Sequence, residues 1–140
     1  MKLWVLDTDT VTLMSFQHSG VTTKALLCPP ESVTVSIVTV DEVFIGRYNK
    51  VRQARGPEKL IAAYGELESS MRLLRALPIL SYDAVAASQY AELRKTYRRL
   101  KTNDLRIAAI AISRAATLVT CNIADFGQID GLSFEDWSEL

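Results

Sequence analysis

The sequence predicts an α/β domain, a three-layer α/β/α sandwich built on a mainly parallel central sheet. Short apolar runs of strand length alternate with longer segments of helical period along the chain, and that alternation is the signature of βα units. The run Leu3 to Leu6 is apolar throughout, which suits a strand covered on both faces by helices. The chain has 140 residues, 49% of them hydrophobic, with no repeat or low-complexity linker. That is enough for one core, so a single domain over 1–140 is expected.

Taken in order, Leu3 to Leu6 reads as the first buried strand, stopped by Asp7. From Thr8 to Leu27 the pattern is helical, loosened around Ser19-Gly20 and ended by Pro29-Pro30. Val33 to Val38 is rich in β-branched residues and reads as the second strand. Thr39-Val40-Asp41-Glu42 matches a capping box and opens a helix through Val43, Phe44 and Tyr48. Gly56-Pro57 starts another helix, with Pro57 in its tolerated first turn. Its apolar face, Leu60, Ile61, Tyr64, Leu67, Met71 and Leu74, is expected in the core along with Val43, Phe44 and Tyr48. Pro78 to Leu80 is the third strand, Asp83 to Leu100 is helical, and Thr102-Asn103-Asp104 begins a helix through Ile107, Ala108 and Ala111. Leu118 to Thr120 and Leu132 to Phe134 complete the set of strands. In such sheets the ligand crevice lies outside the carboxyl ends of the strands. Asp7 follows the first strand, and Asn122 and Asp125 follow the fourth, so these side chains are expected at the crevice.

Charge and composition narrow the function. Lys+Arg and Asp+Glu both number 16, so no global basic field favours nucleic acid, and such a role requires a local patch. Cys28 and Cys121 lack CxxC spacing and read as reduced, buried thiols, not as a zinc site. The opening MKLWVLD lacks the apolar core of a signal peptide, and no stretch approaches a membrane span. A soluble, cytoplasmic protein without membrane contact is expected.

Asp7, Glu42, Asp104 and Asp125 are carboxylates at junctions between elements. If the fold gathers them, they form an all-oxygen set suited to Mg²⁺ or Mn²⁺. Each also has an ordinary alternative. Glu42, at the third helical position of the capping box, could simply bond back to Thr39. Asp104 is an acid favoured by a helix N-terminus. It nevertheless shares a face with Ala108 and Ala111, pointing towards the sheet, where an unpaired carboxylate is costly. Asp7 directly ends a buried strand, and Asp125 is an acid in a loop. Carboxylates holding one or two divalent ions could bind a scissile phosphate and activate water. His18, the only histidine, is expected at solvent, so metal hydroxide is the expected nucleophile.

These residues carry a resemblance. Leu6-Asp7-Thr8-Asp9, Ser36-Ile37-Val38-Thr39-Val40-Asp41-Glu42, Asn103-Asp104-Leu105-Arg106-Ile107-Ala108-Ala109 and Leu118-Val119-Thr120-Cys121-Asn122, leading to Asp125-Phe126, resemble PIN-domain ribonucleases. The order, spacing and length are similar to the VapC toxins of bacterial toxin–antitoxin pairs across essentially the whole chain. The resemblance implies that Asp7, Glu42 and Asp104 are catalytic, metal-binding acids. Many relatives carry an Asp where this chain has Asn122, so the fourth acid would be Asp125, or the site would use three carboxylates plus Asn122. Thr8, Thr120, Asp9 and Asn122 are expected to orient the carboxylates or a metal-bound water, although Asp9 could equally cap its helix. Arg94, Lys95, Arg98, Arg99 and Lys101 precede Asp104. Such a run is usually a solvated helix face, but here it is expected to hold the phosphates of a structured RNA such as tRNA. The resemblance further implies a homodimer and a cognate VapB-like antitoxin that inserts a segment into the acidic groove.

Two rivals stand beside this reading. Asp7-Thr8-Asp9-Thr10-Val11 also resembles the nucleophile motif of HAD-type phosphatases, with Ile37-Val38-Thr39 as a second motif, though no late acidic motif follows. A PIN-like module that binds RNA or protein without catalysis is supported by Asn122 alone.

Overall fold

The computed structural model describes residues 1–139. Five strands, β1 (Trp4–Leu6), β2 (Val33–Ser36), β3 (Ile79–Leu80), β4 (Thr117–Val119) and β5 (Ser133–Glu135), form one sheet in the order β3-β2-β1-β4-β5. Every pair is parallel. Seven helices connect them: α1 (Thr8–Ser15), α2 (Ser19–Leu26), α3 (Ile37–Gln53), α4 (Pro57–Arg75), α5 (Ala84–Thr96), α6 (Thr102–Ser113) and α7 (Ile123–Phe126), with a 3-10 turn at Pro30–Ser32.

The layers follow from strand alternation, which sends successive side chains to opposite faces. Val5 and Leu118 pack on one face with Ala86 and Leu93 of α5, Phe126 of α7, and α6. Leu6, Val35 and Val119 pack on the other with Val11, Val21, Val43 and Leu74 from the first four helices. Helix α6 buries Leu105 and the whole run from Ile107 to Ala111, as a helix apolar around most of its circumference must. The expected α/β sandwich is therefore present, and its parallel sheet has no antiparallel strand.

The sheet order positions the site. The chain winds outward from β1 to β3, then returns to the other side of β1 with β4 and β5. Connections from β1 and β4 thus leave the sheet in opposite directions, and a crevice opens at their carboxyl ends. Leu6 is in register with both Val35 and Val119, which sets Asp7, Ser36 and Thr120 side by side.

Several boundaries and environments differ from expectation. The second strand ends at Ser36, not Val38, because Ser36 Oγ accepts the Thr39 N–H at 3.1 Å and caps α3 itself. The capping box proposed for Thr39 to Glu42 does not form, and Glu42 falls in the second turn. The helix expected to reach Leu100 stops at Thr96. Arg94 donates there to the carbonyls of Tyr97, Arg98 and Leu100, at 3.2, 3.2 and 2.9 Å, and these bonds turn the chain away from the axis. The first helical segment breaks at Gln17, whose φ of 58° is left-handed, before Ser19-Gly20. His18 is half-buried rather than at solvent, and its Nδ1 accepts the Val21 N–H to cap α2. The remaining strands lie within one residue of their expected places.

The thiols are not buried: Cys121 is exposed and Cys28 partly so. Four of the six apolar positions of α4 are also outside, Leu60, Ile61, Tyr64 and Met71, as is Tyr48 of α3. Helix α4 lies mainly against α3 and buries only Ala63, Ser70 and Leu74, with Leu74 reaching the core beneath Leu6, Val35 and Val119, so most of its apolar stripe faces outward. No described helix is long and apolar enough to cross a membrane.

Candidate active site

Asp7 is the fixed point of the crevice. Its backbone N–H donates to Val119 O at 3.0 Å, extending the β1–β4 ladder by one bond. Its Oδ1 accepts the Thr10 N–H at 2.8 Å, so the same carboxylate caps α1. The Thr120 hydroxyl also bonds to it, and Thr120 Oγ accepts the Asn122 N–H at 2.9 Å. Asp7 is only 4% exposed. Burial holds its carboxyl above the ordinary range, against the pull of the Thr120 and Thr10 bonds, and the nearby Asp9 adds to the rise.

Glu42 approaches from α3. The Thr8 hydroxyl donates to its Oε1 at 2.6 Å, and the buried Thr39 hydroxyl lies 3.3 Å from the same Thr8 oxygen. The structure thus joins Glu42 to Thr8 across the crevice, where the sequence offered a bond back to Thr39. Asp104 enters from the first turn of α6, where the helix dipole favours an anion. Burial and the Glu42 carboxylate push its carboxyl up to about 6, with Asp125 and Asp7 adding and Lys101 opposing.

Asp7, Thr8, Asp9, Glu42, Lys101, Asp104 and Asn122 line one cavity of about 160 Å³ with an apolar floor of Ile107 and Phe126. Lys101 is the one cation in that wall among the described residues, facing four carboxylates. No three of the carboxylates are drawn together tightly enough to chelate an ion among the described residues. Like charges at this range repel until a cation joins them. The donor set nonetheless fits a hard divalent ion: every candidate ligand is oxygen, and Asp7, Asp9, Glu42 and Asp104 share the cavity with Lys101 as the one cation among the described residues.

Asp125 is not in that wall. Its Oδ2 accepts from Asn122 Nδ2 at 3.1 Å, and it lines an adjoining cavity with Thr96, Tyr97, Arg98, Arg99, Leu100 and Gln128. Of the five cations singled out by sequence, Lys101 lines the acid cavity and Arg98 and Arg99 line the adjoining one. Arg94 is engaged in holding the loop, donating also to Thr102 Oγ at 3.2 Å, and Lys95 pairs with Glu92 at 3.1 Å. Sequence reasoning gave Thr10 no role at the site and placed Thr39 only as a helix cap, yet the two help tie Asp7 and Glu42 to the scaffold. The Ser36-x-x-Thr39 spacing is the one local signal for the second of these.

A family model for the PIN domain matches residues 7–132. Ribonuclease VapC2 of Rickettsia felis is 27% identical over 98% of this chain and 99% of its own. The tRNA(fMet)-specific endonuclease VapC of Shigella flexneri is 32% identical over 74% of each chain. A solved DNA-bound VapBC complex of Salmonella typhimurium contains a chain of 25% identity that superposes with a TM-score of 0.81, covering 98% of this chain and 99% of that one. With cavity, sheet order and sequence in agreement, the chain belongs to the PIN-domain family and, within it, to the VapC ribonucleases.

Proposed function

We propose that this protein is a Mg²⁺-dependent endoribonuclease toxin that cuts structured RNA, tRNA foremost, and is silenced by a cognate antitoxin. One observation carries the reading: acids from the end of β1, from α3 and from the start of α6 line a single cavity at the switch point of the sheet. Asp7, Glu42 and Asp104 would hold the ion, with the Asn122 amide at the place where many relatives carry an acid. The bound ion would supply the Lewis acidity and the activated water for phosphodiester hydrolysis; Mn²⁺ meets the same donor requirements. Thr120 and Thr10 orient Asp7, and Thr8 orients Glu42, so neither carboxylate rotates freely. Lys101 faces the position a scissile phosphate would take, and Arg98 and Arg99 extend positive charge along the strand.

The choice of tRNA rests on the Shigella flexneri relative, which is named for that activity. The antitoxin rests on the VapBC complexes among the structural neighbours. Exposed apolar side chains on α3 and α4, Ile45, Tyr48, Ile61, Tyr64 and Met71, give a partner or second copy a surface to cover. The phosphatase reading of Asp7 gives way to the family assignment. Asp7 Oδ1 is, moreover, committed to the Thr10 N–H in a site 4% exposed.

The test compares bulk bacterial RNA incubated with protein and Mg²⁺, with EDTA, and with the Asp104→Asn variant. Cleavage in the first alone is expected, with the variant slower by about 100-fold or more. Equal cutting in all three would reject the metal-held mechanism, and no cutting in any would favour the non-catalytic module.

A further inference from the structure

The acid cavity is small, about 160 Å³. The adjoining cavity is about 480 Å³, within the usual range for small-molecule sites. The two meet at the Asn122–Asp125 pair, since Asn122 lines the first, Asp125 lines the second, and their side chains bond at 3.1 Å. We propose that this second cavity, between the Tyr97 to Leu100 loop and α7, is a nucleotide subsite for the residue of RNA next to the scissile phosphate. Arg98 and Arg99 grip its phosphate, and Asp125 belongs to its wall, not to the metal set. The proposal rests on the ribonuclease reading above and extends it.

The chemistry of the walls favours a nucleotide. Arg98 and Arg99 are exposed and form no ion pair among the described residues, so their planar donors are free for phosphate. The loop carrying them is already shaped, which lowers the ordering cost of binding. Arg94 holds three of its carbonyls, and the Tyr97 hydroxyl accepts the Asp130 N–H at 2.8 Å. The carboxylate of Asp125 is kept in place by Asn122 and can accept from a base amino group, the usual use of an acid beside a nucleobase.

The test is steady-state cleavage of pooled bacterial tRNA with Mg²⁺, using wild type, Arg98→Gln/Arg99→Gln and a charge-matched control, Lys24→Gln/Arg114→Gln, on remote exposed positions. Manganese affinity is measured separately for wild type, Asp125→Asn and Asp104→Asn. In the arginine pair variant kcat should stay within about twofold while KM rises about tenfold, and the salt slope of log(kcat/KM) should fall by about 1 to 2. Asp125→Asn, whose amide oxygen still accepts from Asn122, should bind Mn²⁺ within about twofold of wild type and raise KM, whereas Asp104→Asn should weaken Mn²⁺ at least about tenfold. Wild-type KM and salt slope in the arginine variant would overturn the subsite, as would an equal loss in the remote control. A loss of Mn²⁺ affinity in Asp125→Asn matching that of Asp104→Asn would return Asp125 to the metal set. A wild-type protein that binds Mn²⁺ yet cuts no RNA would instead defeat the ribonuclease reading on which the subsite stands.

Discussion

Asp104 shows what the cavity costs the folded chain. Burial and the Glu42 carboxylate raise its carboxyl to about 6 from an ordinary 3.8. The folded state therefore binds a proton more tightly than the unfolded state, and stability must fall as pH climbs between those two values and level off above them. Buried Asp7, also raised, acts in the same direction. Thermal melts in EDTA should thus show wild type losing stability relative to Asp104→Asn as pH rises from about 4 to about 6. Mg²⁺ should restore the loss above pH 6 and do little below pH 5, because proton and metal compete for the same oxygens. A difference between the two proteins that does not change with pH would show that Asp104 is not strained by its neighbours. The positions of Asp7 and Asp104 were legible because each ends or begins an element, where a polar side chain needs a reason. The place of Asp125 was not. The backbone bond from Asn122 to Thr120 Oγ and the one-turn helix α7 set it in the wall of the adjoining cavity, from where its charge still reaches Asp104.

At the scale of elements, local rules failed where two of them overlapped. Thr39 to Glu42 and Ser36 to Thr39 both look like helix starts, and the earlier one wins because Ser36 already stands at the carboxyl end of β2 with its oxygen free. The end of α5 was hidden for a different reason. Nothing in Arg94 to Leu100 breaks a helix by propensity, and the turn comes from one guanidinium reaching carbonyls ahead of it. Arg94 should therefore act on the site through the loop. Arg94→Gln should lower stability by about 1–3 kcal/mol in urea unfolding. It should also speed amide exchange across residues 97–102 while leaving the protection of α6 residues 107–111 intact. Wild-type exchange in that loop would mean that the turn is held by something other than Arg94.

At the scale of the molecule, alternating apolar runs revealed a parallel sandwich because both faces of each strand are buried. Periodicity could not reveal what covers a helix, so the exposed stripe of α4 was read as core. Neither could it reveal how a sheet edge is closed. Strand β5 is such an edge, and Glu135 at its end joins the two ends of the chain. Its carboxylate accepts from Trp137 Nε1 at 3.0 Å, Trp4 Nε1 at 3.4 Å and Lys2 Nζ at 3.1 Å, and the two indoles lie 6.3 Å apart. Burial raises this carboxyl, but the bonds from Trp137, Lys2 and Trp4 outweigh it and hold it below its ordinary range. The sign is opposite to that of Asp104: this contribution is full above the unfolded value of 4.5 and is lost as pH falls. The exposed ion pair with Lys2 adds little. The weight lies on Trp137, which is 2% exposed and would keep an unpaired N–H if its partner were removed. Glu135→Ala should cost about 1–3 kcal/mol and shift tryptophan emission to the red, whereas Lys2→Ala should change stability by less than about 1 kcal/mol. Equal losses in the two variants would place the closure in the surface charge pair, and an unchanged emission maximum in Glu135→Ala would show that Trp137 stays seated without it.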